Sequence, residues 1–145
     1  EGRLATTEEQ KTLSNYVGWG GLSQVFDEKN ENWKKEFAEL KELLTEDEYT
    51  AARATVNNAF YTAPEVASCM SQALVQFGFR GGNVLEPSMG IGNFFGTIPT
   101  PLQRSNLYGV ELDSISGRIA GQLYQKANIS ITGFEKTTYP DNFTP

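Results

Sequence analysis

The sequence predicts an α/β fold, a helical N-terminal extension followed by a parallel sheet whose strands alternate with helices. Three observations carry this. Apolar residues in the first third recur at helical spacing on charged segments. From Phe60 onward, short apolar runs alternate with amphipathic stretches. A glycine-rich turn directly follows the first of those runs. The division expected is 1–58 for the extension and 59–145 for the sheet-bearing part.

In the extension, a short amphipathic stretch around Thr7–Val17 runs into the turn Gly18-Trp19-Gly20-Gly21. Trp33, Phe37, Leu40 and Leu44 form a stripe at helical spacing. Thr45 with Glu48 makes a capping box that opens a further helix, with Tyr49, Ala52 and Val56 inward. The acidic run Glu46-Asp47-Glu48 falls in its first turn, where the helix dipole favours negative charge.

The second part reads β-α-β-α-β. Thr62 with Glu65 is expected to cap a helix carrying Val66, Met70, Leu74 and Phe77 on one face, with Cys69 as a small core residue. Gly81-Gly82 ends it. Asn83–Glu86 is the first strand, Leu107–Glu111 the second and Ile129–Ile131 the third. Ile115, Ile119 and Leu123 mark the helix between the last two, with Asp113 or Ser114 as its cap. The polar tail from Thr137 to Pro145 reads as a connection to a fourth strand. That would leave Val84 and Leu85 on an open edge, which is expected to be paired with another chain or covered by the tail.

Composition excludes several function classes. Among 145 residues there is one cysteine and no histidine. An internal disulfide, a Cys/His zinc site and a Ser–His or Cys–His dyad are therefore impossible within the chain. No run approaches the ~20 apolar residues of a membrane span, and no secretory signal opens the chain. A cytoplasmic setting is expected. The absence of an initial methionine suggests a piece of a longer polypeptide. The net charge of -6 lies wholly in residues 1–50, which hold twelve acids and six bases, against six of each in the remainder. A self-sufficient DNA-binding domain usually has a basic face. Any grip on nucleic acid is thus expected from segments outside this chain.

The chemistry-bearing run is Glu86-Pro87-Ser88-Met89-Gly90-Ile91-Gly92-Asn93-Phe94, directly after the first strand. Glycines there let backbone approach a ligand in the crevice beyond the strand ends. Glu111 ends the second strand about twenty residues on, placed to accept ribose hydroxyl protons. A dinucleotide site would need a small residue three positions after Gly92, where Phe95 stands. A nicotinamide dehydrogenase is therefore disfavoured. S-adenosylmethionine has no pyrophosphate to cradle, and Glu86 supplies an acid suited to its ammonium or to orienting the glycine loop.

The motifs Phe60-Tyr61-Thr62-Ala63-Pro64-Glu65-Val66, Val84–Phe94 and Tyr108-Gly109-Val110-Glu111-Leu112-Asp113 occur in the order and spacing of N6-adenine DNA methyltransferases of the gamma arrangement. The chain resembles that family. Within it, the lead-in Tyr16-Val17-Gly18-Trp19-Gly20-Gly21-Leu22 is similar to the methylase region of large plasmid and conjugative-element proteins in which a helicase-like region follows. The resemblance implies a partial Rossmann-like S-adenosylmethionine-dependent methyltransferase fold. It implies that Tyr61, Thr62 and Pro64 border the methionine end of the cofactor. It further implies that Glu86, Ser88, Gly90 and Gly92 form the loop beneath it, that Glu111 holds the ribose and that Leu112 sits by the adenine.

Two departures bear on activity. The family's Asp-Phe pair after the third strand is represented by Thr132-Gly133-Phe134-Glu135, which makes Glu135 the candidate adenine contact. The Asn/Asp-Pro-Pro-Tyr/Phe motif that grips the flipped base is absent. The chain is thus expected to hold cofactor without transferring a methyl group, and no catalytic residue is assigned. DNA and the downstream helicase-like region are the expected partners, with edge-strand self-association as a further possibility. The competing readings are a non-catalytic methyltransferase-like scaffold of a mobile-element helicase protein and an RNA or protein methyltransferase.

Overall fold

A computed structural model describes residues 2–57 and 60–139. Its helices are α1 (Thr7–Leu13), α2 (Lys34–Leu43), α3 (Glu46–Thr55), α4 (Pro64–Gln76), α5 (Asn93–Gly96) and α6 (Ser114–Leu123). Its strands are β1 (Asn83–Glu86), β2 (Asn106–Glu111) and β3 (Asn128–Ile131). They form one parallel sheet in the order β1-β2-β3, with Leu85 opposite Tyr108 and Gly109 opposite Ile129. The α/β class and the helical extension are as the sequence predicts.

Two small cores result. In the extension, Val25, Phe26, Tyr49 and Ala52 are buried, and the Trp33, Phe37, Leu40 and Leu44 stripe packs on them partly buried. Beneath the sheet, Met89, Phe95 and Ala120 are buried with Val84, Leu107, Tyr124 and Ile129 around them. Ile115 of α6 reaches from the sheet layer into the extension's core. Arg118 of α6 also forms an ion pair with Glu48 of α3. The Gln10 side chain of α1 donates to the Gln122 carbonyl at 2.7 Å, fastening the other end of α6.

The Thr45–Glu48 capping box forms in full, and a second one, Thr6 with Glu9, opens α1. The expected Thr62–Glu65 box does not form. The cap of α4 is Ala63, with no side-chain hydrogen bond. Pro64 explains the shift. Proline drives the residue before it out of the helical region, so Ala63 is extended (ψ 138°) and the helix starts one residue later.

Two further expectations are corrected on α4. Cys69 is exposed rather than a core residue. Val66, Met70, Leu74 and Phe77 do share a face, but that face is open, with Phe77 87% exposed. The inward side is instead the neighbouring arc of Ala67 and Ser71. Small residues there let α4 approach α5 closely, and a helix cannot bury both arcs against one thin layer.

Among the described residues no strand pairs with the outer edge of β1. The tail beyond Tyr139 lies outside the described residues, so the expected cover for this edge falls there. Tyr139 itself packs edge-on against Tyr108 of β2, ring centroids 6.1 Å apart. No described helix is long and apolar enough to cross a membrane.

Candidate functional site

The loop from Pro87 to Gly92 leaves β1 and immediately folds back over the sheet. The Met89 amide donates to the Val110 carbonyl at 3.0 Å, continuing the β1–β2 ladder into the loop. Gly90 then adopts φ +56°, a left-handed conformation that a side chain would oppose. Space forbids a side chain as well, because a Cβ on Gly90 would stand 2.9 Å from the Tyr61 ring.

Glu111, at the end of β2, fixes this loop. Its Oε2 accepts from the Gly90 amide at 2.7 Å, and its Oε1 accepts from the Asp113 amide at 2.8 Å. Asp113 in turn caps α6, accepting from the Ile115 and Ser116 amides at 3.3 and 2.9 Å. The Ser116 hydroxyl lies 3.0 Å from the Tyr61 hydroxyl. Asn93 donates from Nδ2 to the Thr62 carbonyl at 2.9 Å, tying the segment before α4 to the start of α5. One network therefore holds the Tyr61–Thr62 segment, the glycine loop and the β2–α6 turn together.

These elements enclose a cavity of about 440 Å³, within the range of small-molecule sites. Tyr61, Thr62, Glu86, Ser88, Gly90, Glu111 and Leu112 all line it, so seven of the ten residues singled out from sequence converge. Pro64, Gly92 and Glu135 do not line it. Pro64 starts α4 on its exposed side. Gly92 is buried with φ +87°, and a Cβ there would strike the Tyr124 ring and the Met89 methyl. The backbone there packs closely against Tyr124 and Met89. Glu135 is exposed in the turn Phe134–Lys136, folded over its own neighbour Gly133.

Glu86 is the electrostatically unusual member. Its Oε2 is buried with no hydrogen-bond partner. Burial first, and the nearby Glu111 carboxylate second, push its pKa up to about 8. The two roles open for it are thereby separated, since Glu111 and not Glu86 orients the glycine loop. Burial likewise pushes the Tyr61 hydroxyl above its ordinary value.

Sequence reasoning missed part of the wall. Asn93 and Phe94 line the cavity, and their place directly after the second glycine was the available signal. Phe60 lines it too, although 88% exposed. Ala51, Ala54 and Thr55 line it from α3, inside the segment expected to be a separate extension. Their spacing marks a small-residue stripe on that helix. Among the described residues no group of three acids or cysteines is placed to hold a metal ion.

The order β1–glycine loop–β2–α6 leaves Phe95 at the position where a dinucleotide site needs a small residue. Phe95 is buried and packs edge-on against Tyr124, centroids 5.6 Å apart. The helix it belongs to has only four residues.

No protein-family model matches the chain. No curated protein matches it either. Among solved structures, the chain is similar to the plantazolicin methyltransferase BpumL in complex with a monoazolic desmethylPZN analog and SAH. The TM-score is 0.44 at 17% identity, over 92% of this chain and 46% of that one. The BpumL complex with SAH gives a TM-score of 0.42 at 18% identity, over 90% and 44%. The chain thus spans less than half the length of these structures. Superposition and identity at this level leave the functional reading to the chain's own residues.

Proposed function

We propose that the cavity binds S-adenosylmethionine, and that the chain is the cofactor-binding portion of a DNA adenine-N6 methyltransferase. The observation that carries the cofactor assignment is the pair of carboxylates at one cavity. Glu111 is anchored by two backbone amides, and Glu86 is buried without a partner. A carboxylate oxygen that accepts one N–H retains a lone pair, so Glu111 can still take two ribose hydroxyls. Glu86 lacks a cation, and the ligand's ammonium supplies one. A cation seated there would favour the ionised carboxylate and give its buried oxygen a donor.

Ser88, Thr62 and Tyr61 line the same cavity, and Leu112 follows Glu111 directly. When bound, the cofactor supplies an electrophilic methyl group on a sulfonium. The chain's own residues bind and orient it. Buried Phe95 and the single-turn α5 argue against a pyrophosphate cradle. The finer assignment to adenine N6 in DNA rests on the order and spacing of the three motifs. DNA and a helicase-like region would be engaged through segments outside this chain.

Isothermal titration with S-adenosylmethionine and S-adenosylhomocysteine tests the reading, with NAD as control and Glu111→Ala for comparison. Saturable binding that the substitution abolishes is the expected result. Silence both from this chain and from one extended through a fourth strand would overturn it, in favour of a non-catalytic scaffold.

A further inference from the structure

Leu112 and Asp113 follow Glu111 directly and lead into α6. With the ribose on Glu111, as the proposed function has it, the base lies on the Leu112 side. Leu112 is 75% exposed despite being apolar, and it borders the cavity. Helix α3 lines the same cavity. The Glu48–Arg118 ion pair and the packing of Ile115 against the core that Tyr49 and Ala52 belong to hold α3 along α6. Advancing along α3 from Glu48 to Thr55 moves back along α6 from Arg118 toward Leu112. Both ends meet at the cavity, which Ala51, Ala54 and Thr55 share with Leu112, Asp113 and Ser116.

The chemistry of that wall is specific. Ala51 and Ala54 carry no polar side-chain atom, and the Thr55 hydroxyl donates to the Ala52 carbonyl at 2.7 Å. The wall therefore offers no free donor, and it suits the flat face of a heteroaromatic ring rather than its hydrogen-bonding edge. Small side chains leave room for the ring, and a larger one at either alanine would occupy its space.

We propose that α3 is one wall of the base subsite, with Ala51 and Ala54 setting its depth. The cofactor then binds at the seam between the helical extension and the sheet, not in the sheet-bearing part alone. This inference rests on the cofactor reading above.

Ala54 is exposed and Ala51 half-buried, and leucine is a good helix former. Ala51→Leu and Ala54→Leu should therefore leave the far-UV circular dichroism and the unliganded Tm near wild type. Affinity for S-adenosylhomocysteine should fall about tenfold or more, the usual consequence of overfilling a packed site. Affinity for 5′-methylthioadenosine, which lacks the amino-acid end, should fall by a similar factor. The control Thr50→Leu, on an exposed position of α3 away from the cavity, should bind as wild type. Leucine variants that bind S-adenosylhomocysteine as wild type does would overturn the inference and leave the cofactor reading intact. A loss for S-adenosylhomocysteine without a loss for methylthioadenosine would place the clash at the other end and also overturn it. A wild-type chain with no affinity for either ligand, silent also when extended through a fourth strand, would overturn the cofactor reading itself.

Discussion

The Glu111 carboxylate accepts the Gly90 amide at 2.7 Å, so the acid at the end of β2 is also the anchor of the loop that follows β1. Its other oxygen holds the Asp113 amide. One side chain thus sets both the shape of the glycine loop and the entry to α6, before any ligand arrives.

Glu111→Ala should consequently do two things at once. It leaves two part-buried amides without their acceptor, which costs about 1–3 kcal/mol for each one that water does not reach. It also removes the proposed ribose acceptor, so titration calorimetry should read no binding. Glu111→Gln should rescue neither, because its NH₂ group would face one of the two amide donors. A glutamine variant that binds at wild-type affinity would show that charge and double acceptance are dispensable.

Gly92→Ala tests the packing role. The left-handed φ and the collision with Tyr124 and Met89 should together cost a few kcal/mol. A chemical denaturation midpoint measures this directly. An unchanged midpoint with lost ligand binding would instead return Gly92 to the cavity.

Glu86 makes a pH prediction with a definite sign. Its folded-state pKa is raised to about 8 from an ordinary 4.5, so the folded chain holds a proton there that the unfolded chain releases. Stability from this group is therefore full below about pH 4.5 and is lost as pH rises toward 8. Glu86→Gln should remove that loss and raise the Tm most at pH 8. For the ligand the order reverses. A bound ammonium favours the carboxylate, so binding releases a proton, and affinity should rise between pH 6 and about pH 8. Titrations in buffers of different ionisation enthalpy measure the proton released. Equal heats in all buffers would remove Glu86 from the ammonium role.

The open face of α4 should tolerate polarity. Phe77→Ser, at a position 87% exposed, removes little buried area and should change the unfolding free energy by no more than about 0.5 kcal/mol. Cys69 should react with a thiol reagent in the folded state in full stoichiometry. Slow labelling limited by unfolding would mean that this face is covered in solution.

Much of this arrangement was legible in the sequence because it rests on local rules. The Thr45–Glu48 box, the Asp113 cap and the three strands follow from short-range patterns, and each appears in place. The glycine loop and Glu111 were legible because strand ends and tight turns need particular residue types. Three things were not. The start of α4 turned on Pro64 overriding a capping pattern that was formally present. The exposure of Cys69 and its neighbours depended on which arc of α4 faces inward, and periodicity favoured the more apolar arc where the small residues Ala67 and Ser71 are the ones buried. The α3 wall required knowing that residues some sixty positions apart lie side by side, which only the Glu48–Arg118 and Ile115 contacts reveal.

Ile115 has a mechanical consequence. It packs, half-buried, against the extension's core, yet it stands two residues from Asp113, and its own amide is part of that residue's cap. Asp113 hangs on Glu111, and Glu111 on Gly90. A pull on the extension is thus transmitted through a single turn of backbone to the floor of the cavity. Whatever tethers the first fifty residues has a lever on the glycine loop.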